Sequence, residues 1–249
     1  MARRAGKRIR FAQAVELTLC NRLCYSLAAT GAHVMTEPNR IGIDESGKGD
    51  YFGPLVIAAA HVTSEIEPEL RLMEVRDSKK ISDGRILEIA RDLRQVCKHS
   101  IVSIGPQKYN ELYPKFRNLN RLLAWGHARA LENLLEQVDC PLAIADQFGD
   151  ERFVLNALLE KGKKIRLVQR TKAEADLAVA AASILARAEF LLRLKRLSDE
   201  LGTTLPKGAT HVELAARMVV KKHGEAMLGN VAKLHFKTTK AVLGKTEES

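Results

Sequence analysis

The chain has 249 residues, enough for one large domain with a substantial core. Its 46% apolar and 28% charged content excludes a wholly disordered chain, and no apolar run reaches the ~18 residues of a membrane span. Lys and Arg number 40 against 30 Asp and Glu, and the resulting charge of +10 favours polyanionic partners such as nucleic acid. The basic start, MARRAGKRIR, is followed by no apolar h-region, so no secretory signal is expected. Phe11, Val15, Leu19, Leu23 and Leu27 recur every fourth residue, which predicts a helix ended by Thr30-Gly31. Glu37-Pro38-Asn39 reads as a linker. Residues 1–40 are therefore expected to be a basic helical extension, too short to carry its own core. Cys20 and Cys24 lie one helical turn apart, but no second Cys or His pair accompanies them or Cys97 and Cys140, so no zinc site is expected. Reduced thiols fit a cytoplasmic protein.

From Ile41 the pattern changes. Ile41-Gly42-Ile43 and Leu55 to Val62 read as buried strands around a glycine-rich turn, and Lys98 to Ile104 as a third. Helical periodicity follows at about 82–96 and 119–137, the latter with an apolar stripe through Leu122, Leu123, Ala130, Leu131 and Leu134. Leu142 to Ala145 is a short apolar strand, and Lys164 to Val168 alternates as a half-buried one. Further helices are expected near 150–161, 175–200 and 211–223. The fold class is α/β: a mixed sheet flanked by helices, with a helical C-terminal annex, over residues 41–249.

Four segments could carry chemistry. Asp44-Glu45 ends a strand and precedes Gly47-Lys48-Gly49. Paired carboxylates suit a hard cation such as Mg²⁺, and the glycines let backbone amides and Lys48 approach a phosphate. Adjacent strand residues point to opposite faces, so both can serve one site only if the strand ends at about Asp44. The alternative is a solvated polar turn. Asp146 sits just past a short strand, where open α/β sheets place ligands; its alternative use is to cap the next helix, a role Asp150 could fill instead. Thr171-Lys172-Ala173-Glu174 matches a capping box, with Asp176 suited to the positive end of the helix dipole. Either carboxylate could instead ligate a metal. Lys161, Lys163, Lys164, Arg166, Arg170 and Lys172 form a run without acids, which is either a nucleic-acid backbone contact or a solvated face. The seven histidines are scattered, with no triad cue and no G-x-S-x-G.

Taken in order, DESGKGDYFGPL (44–55), DSKK (77–80), NLNRLLAWGHARALENLL (118–135), ADQF (145–148), RTKAEADLAVAAASILAR (170–187), LPKGA (205–209) and VAKLHFKT (231–238) resemble the blocks of the type 2 ribonucleases H. Gly47-Lys48-Gly49 points to the ribonuclease HIII subfamily, because ribonuclease HII carries Gly-Arg-Gly there. The resemblance implies a ribonuclease H-like fold and two-metal-ion hydrolysis of the RNA strand of RNA–DNA hybrids. It implies Mg²⁺ or Mn²⁺ on four carboxylates: Asp44, Glu45, Asp146 and Glu174. The stretch from Glu174 to Ser183 is about one residue shorter than in related sequences, which keeps Asp176 as a rival. Substrate contacts are expected from Gly47, Lys48 and Gly49, which would read the 2′-hydroxyl, and from Asn118, Asn120, Arg170, Lys172 and Lys207. Asn118 has an alternative use as a helix cap. The subfamily's TATA-binding-protein-like front domain is longer than this head, and is expected to be absent or vestigial in the first 40 residues. The expected protein is a cytoplasmic monomer with no membrane partner. Alternatives are cleavage at single ribonucleotides embedded in DNA, and a silent hybrid-binding protein.

Overall fold

The computed structural model describes residues 39–146, 151–158 and 161–244. The expected N-terminal helix and the Asp150 cap lie outside these residues. Five strands form one mixed sheet: β1 (Arg40–Ser46), β2 (Leu55–Val62), β3 (His99–Ile104), β4 (Leu142–Asp146) and β5 (Arg166–Arg170). Their order is β3-β2-β1-β4-β5; β1, β2 and β3 pair antiparallel, whereas β4 and β5 extend the sheet in parallel from β1. All five expected strands are present. The helices are α1 (Glu67–Leu72), α2 (Asp83–Val96), α3 (Pro106–Phe116), α4 (Leu119–Leu135), α5 (Glu151–Ala157), α6 (Leu177–Leu201), α7 (Glu213–His223), α8 (Leu228–Val231) and α9 (Lys237–Leu243). Helices α1, α3, α8 and α9 were not expected from periodicity; three of them are seven residues or shorter, which is too short for a 3.6-residue pattern to repeat.

The sheet separates two cores. On one face Ile41, Ile43, Ala143 and Ala145 pack against the apolar stripe of α4. On the other, α6 lies directly on β1. A Cβ on Gly42 would stand 2.0 Å from the Ala178 carbonyl carbon, so the Ile-Gly-Ile strand needs its glycine to admit that helix. Helix α6 buries nearly every face of its first half, which is why its sequence is a run of Ala, Val, Ile and Leu rather than a stripe. Among the described residues no helix is long and apolar enough to cross a membrane.

Candidate active site

The parallel ladder between β1 and β4 runs from Ile41–Ala143 to Ile43–Ala145. The next residue on each strand is a carboxylate, Asp44 and Asp146. Both therefore stand side by side at the C-terminal ends of neighbouring parallel strands, on the α6 face. Strand β1 does not end at Asp44, as a single shared site was expected to require. It continues to Ser46, paired to Val56 on β2, so Glu45 starts toward the opposite, α4 face. There His127 of α4, fully buried, approaches the Glu45 carboxylate with Nε2 at 3.0 Å. Both carboxylates nevertheless line one cavity of about 530 Å³.

The remaining walls come from far along the chain. The 3-10 turn Ser78–Lys80 is clipped to α6: Ser183 Oγ donates to Ser78 Oγ (2.5 Å), and Arg187 donates to the Ser78 carbonyl (2.6 Å) and to Asp83 (2.8 Å). This sets Lys79 in the cavity with Lys48 and Lys207. Lys207 also pairs with Asp83.

The glycine turn is held with equal care. Gly47 has φ +87°, and a Cβ there would meet the Pro54 carbonyl oxygen at 2.2 Å, so the fold itself demands glycine. Gly49 is different: it is exposed, and a Cβ would meet nothing within 4 Å. Its missing side chain serves no intramolecular contact and leaves backbone open to a ligand. Beneath the turn, the fully buried Lys233 ammonium donates to the carbonyls of Asp50 and Gly53, both at 2.8 Å. The Gly208 amide donates to Asp50 Oδ1 (2.6 Å), and the Tyr51 amide to the Gly208 carbonyl (2.8 Å). The LPKGA and VAKLHFKT blocks are thus the supports of this turn.

Electrostatics split the carboxylates. Burial, followed by the charge of Glu45 and then of Asp146, pushes Asp44 up to about 8. Burial also raises Glu45, but His127 and then Lys48 outweigh it and hold the carboxyl below its usual range. Carboxylates crowded in this way offer the hard oxygen donors that Mg²⁺ or Mn²⁺ takes. Among the described residues no three His, Cys, Asp or Glu side chains already converge as a metal-holding group.

The T-K-x-E segment does not form the alternative, a capping box. Lys172 takes a left-handed conformation (φ 57°), Ala173–Ala175 form a separate 3-10 turn, and α6 starts only at Leu177. Asp176 is its N-cap, accepting from the Ala178 amide at 2.9 Å. Both oxygens of the same carboxylate pair with the buried Arg40 Nε, at 3.0 and 2.9 Å. Arg40 opens β1, four residues before Asp44, so Asp176 is tied to the wrong end of the strand for a shared ion. Glu174 is half-buried and does not serve as the cap. Its neighbour Ala173 donates to Asp146 Oδ1 (3.4 Å), which brings this turn beside the site, although Glu174 lines an adjoining hollow rather than the cavity itself.

Asn118 caps α4 by accepting from the Asn120 amide (2.7 Å), and neither residue lines the cavity. The basic run divides along β5. Lys161 and Lys164 line a hollow with residues 135–141 where β4 begins, whereas Arg170 and Lys172 stand at the carboxylate end. Sequence reasoning missed His127, Lys79, Arg187 and Lys233. The only signal for His127 was a polar residue inside an apolar stripe.

The family described as Ribonuclease HII matches residues 41–239. The chain belongs to that family. It is 50% identical over 206 residues to a ribonuclease HIII of Protochlamydia amoebophila, covering 82% of this chain and 68% of the relative. It is 45% identical over 203 residues to one of Chlamydia pneumoniae, covering 80% and 68%. Among solved structures, Bst-RNase HIII in complex with Mn²⁺ superposes with a TM-score of 0.79 at 34% identity, covering 89% of this chain and 74% of that one. Aquifex aeolicus RNase H3 gives 0.67 at 32% identity, covering 81% and 74%. Family membership makes the chain a metal-dependent ribonuclease H, and the ribonuclease H-like fold expected from the sequence is the one observed.

Proposed function

We propose that this ribonuclease H hydrolyses the RNA strand of continuous RNA–DNA hybrids, with Asp44, Glu45, Asp146 and Glu174 holding Mg²⁺ or Mn²⁺. The observation that carries the reading is the juxtaposition of Asp44 and Asp146 at adjacent strand ends, with Glu45 in the same cavity. When bound, the cations would supply a low-pKa water and stabilise the departing 3′ oxygen. The chain's own residues do the rest. Lys48, Lys79 and Lys207 face the cavity and offset the phosphate charge. His127 draws Glu45 to one side and fixes where its carboxylate can reach. The open backbone at Gly49, beside the constrained Gly47, suits close approach to a ribose 2′-hydroxyl, the group that separates RNA from DNA. Arg170 and Lys172 meet the backbone beyond the cut. Residues 41–249 form the catalytic unit, acting as a monomer in the cytoplasm, where the buried thiols of Cys97 and Cys140 stay reduced.

Asp146→Asn tests the ligand set. The substitution keeps the shape and removes a charge. Turnover on a labelled hybrid should fall ~10³-fold, about 4 kcal/mol of transition-state stabilisation, with the melting temperature unchanged. Wild-type rates at saturating Mg²⁺ would remove Asp146 from the set. A DNA duplex with one ribonucleotide, run in parallel, should be cut far more slowly; equal cutting would favour the embedded-ribonucleotide reading.

A further inference from the structure

The 3-10 turn Ser78–Lys80 separates two hollows. Lys79 faces the carboxylate cavity, and Lys80 faces the adjoining one. Six Arg and Lys side chains and three acids, Asp77, Glu174 and Asp176, line this second hollow of about 600 Å³. Buried Arg40 is paired with Glu67 (2.7 Å) and Asp176 (2.9 Å), and Arg71 also reaches Glu67 (3.3 Å). Its rim is not matched. Arg76, Lys80 and Lys172 are exposed and have no carboxylate partner among the described residues, and Arg170 only leans toward Asp176 at 3.8 Å. The cations outnumber the acids facing this open hollow, and that excess repels itself unless a further anion lies among them. The hollow shares the Ser78–Lys80 turn with the carboxylate cavity, so a polyanion lying in one continues over the turn into the other.

We propose that Arg76, Lys80 and Lys172 form a second seat for a substrate backbone phosphate, away from the one being cut. The identity of the polyanion rests on the hybrid-cleavage reading; the seat itself rests on the unmatched rim. Neither Arg76 nor Lys80 belongs to the basic run seen in the sequence. They come from the loop after α1 and meet Lys172 only in the fold. A phosphate seat remote from the chemistry adds binding without favouring the transition state, so its loss should raise KM and spare kcat.

The test is the Arg76→Gln/Lys80→Gln double variant beside Lys195→Gln/Arg196→Gln, which removes the same charge from the exposed flank of α6. Equilibrium binding of a fluorescent RNA–DNA hybrid, with Ca²⁺ present, is measured across a KCl series, and steady-state cleavage with Mg²⁺ is measured in parallel. The rim variant should weaken binding about tenfold and reduce the slope of log Kd against log salt by about 1–2, because each phosphate left without its cation keeps roughly one condensed counterion. The flank variant should leave the slope unchanged. KM should rise with kcat held. An unchanged binding slope in the rim variant, or an equal change in the flank variant, overturns the seat. A wild-type protein that binds with the expected slope difference yet cuts no hybrid would keep the seat and overturn the cleavage reading.

Discussion

Two turns bring acids to this site, and they are built differently. The turn after β1 is supported from three separate segments: Lys233 beneath it, Gly208 beside it and Phe190 of α6 against Gly47. The turn after β5 is held by the Arg40–Asp176 pair at its base and one long bond from Ala173 to Asp146. The first turn fixes backbone that, in the proposed reading, lies close to substrate. The second uses one acid as an anchor and leaves the other available. Two carboxylates two residues apart thus have separate positions to fill: Asp176 holds α6 onto β1, and Glu174 is left over for the proposed ligand set.

The sharpest way to break that contrast is Glu174→Gln against Asp176→Asn. Glu174→Gln should lower the Mn²⁺-dependent rate ~10³-fold with little change in stability. Asp176→Asn keeps the cap but loses half of a buried ion pair, so its melting temperature should drop by roughly 5 °C or more, with activity of the folded fraction retained. Reversed effects would show that the anchor and the ligand have been exchanged.

Lys233→Met tests the first turn. Burial pushes the Lys233 amine down to about 7, with Asp50 opposing, so this lysine is costly to keep. Losing it leaves two buried carbonyls without donors, about 1–3 kcal/mol each. Stability should fall by several degrees, and kcat should fall more than tenfold in protein that is still folded. Unimpaired cleavage would mean that the turn holds its shape without its lysine.

Asp44 gives a pH signature. Its pKa is raised by folding, from 3.8 to about 8, so the folded state keeps the proton longer than the unfolded chain. The stabilisation is complete below about pH 4 and is lost as pH rises toward 8. Without divalent metal, the melting temperature should therefore decline between these limits beyond the general trend. Asp44→Asn should flatten that decline and be roughly 3–8 °C more stable than wild type at pH 8. Added Mn²⁺ should stabilise wild type and not the variant. The smallest effect is expected at Gly49. Gly49→Ala fits the fold, so melting should not change, and hybrid KM should rise a fewfold; Gly47→Ala should unfold the turn outright.

How much of this was legible follows from range. The five strands announced themselves as short apolar runs bounded by Gly, Pro and Asp, and Asp44 and Asp146 as acids at strand ends. Local patterns could not say whether Glu174 or Asp176 was spoken for, because the partner of Asp176 is Arg40, 136 positions earlier. The capping-box alternative was undecidable locally for the same reason. Thr171-x-x-Glu174 satisfies a local rule, but the Arg40 pair draws the helix start down to Leu177. His127 and Lys233 were hidden because each reads as an ordinary helical or loop residue until the sheet brings it under its partner.

The glycine turn opens right after Ser46, yet the lysine that closes it from below is Lys233, more than 180 positions later. A ribosome adding about 5–20 residues per second needs roughly 3–12 s to travel from Glu174 to Lys233. Over that interval every acid of the proposed ligand set has been made, yet the glycine turn has no floor. The cutting centre is thus a late product of synthesis. A chain stopped just short of Lys233 would carry all those acids and have no fixed place to use them.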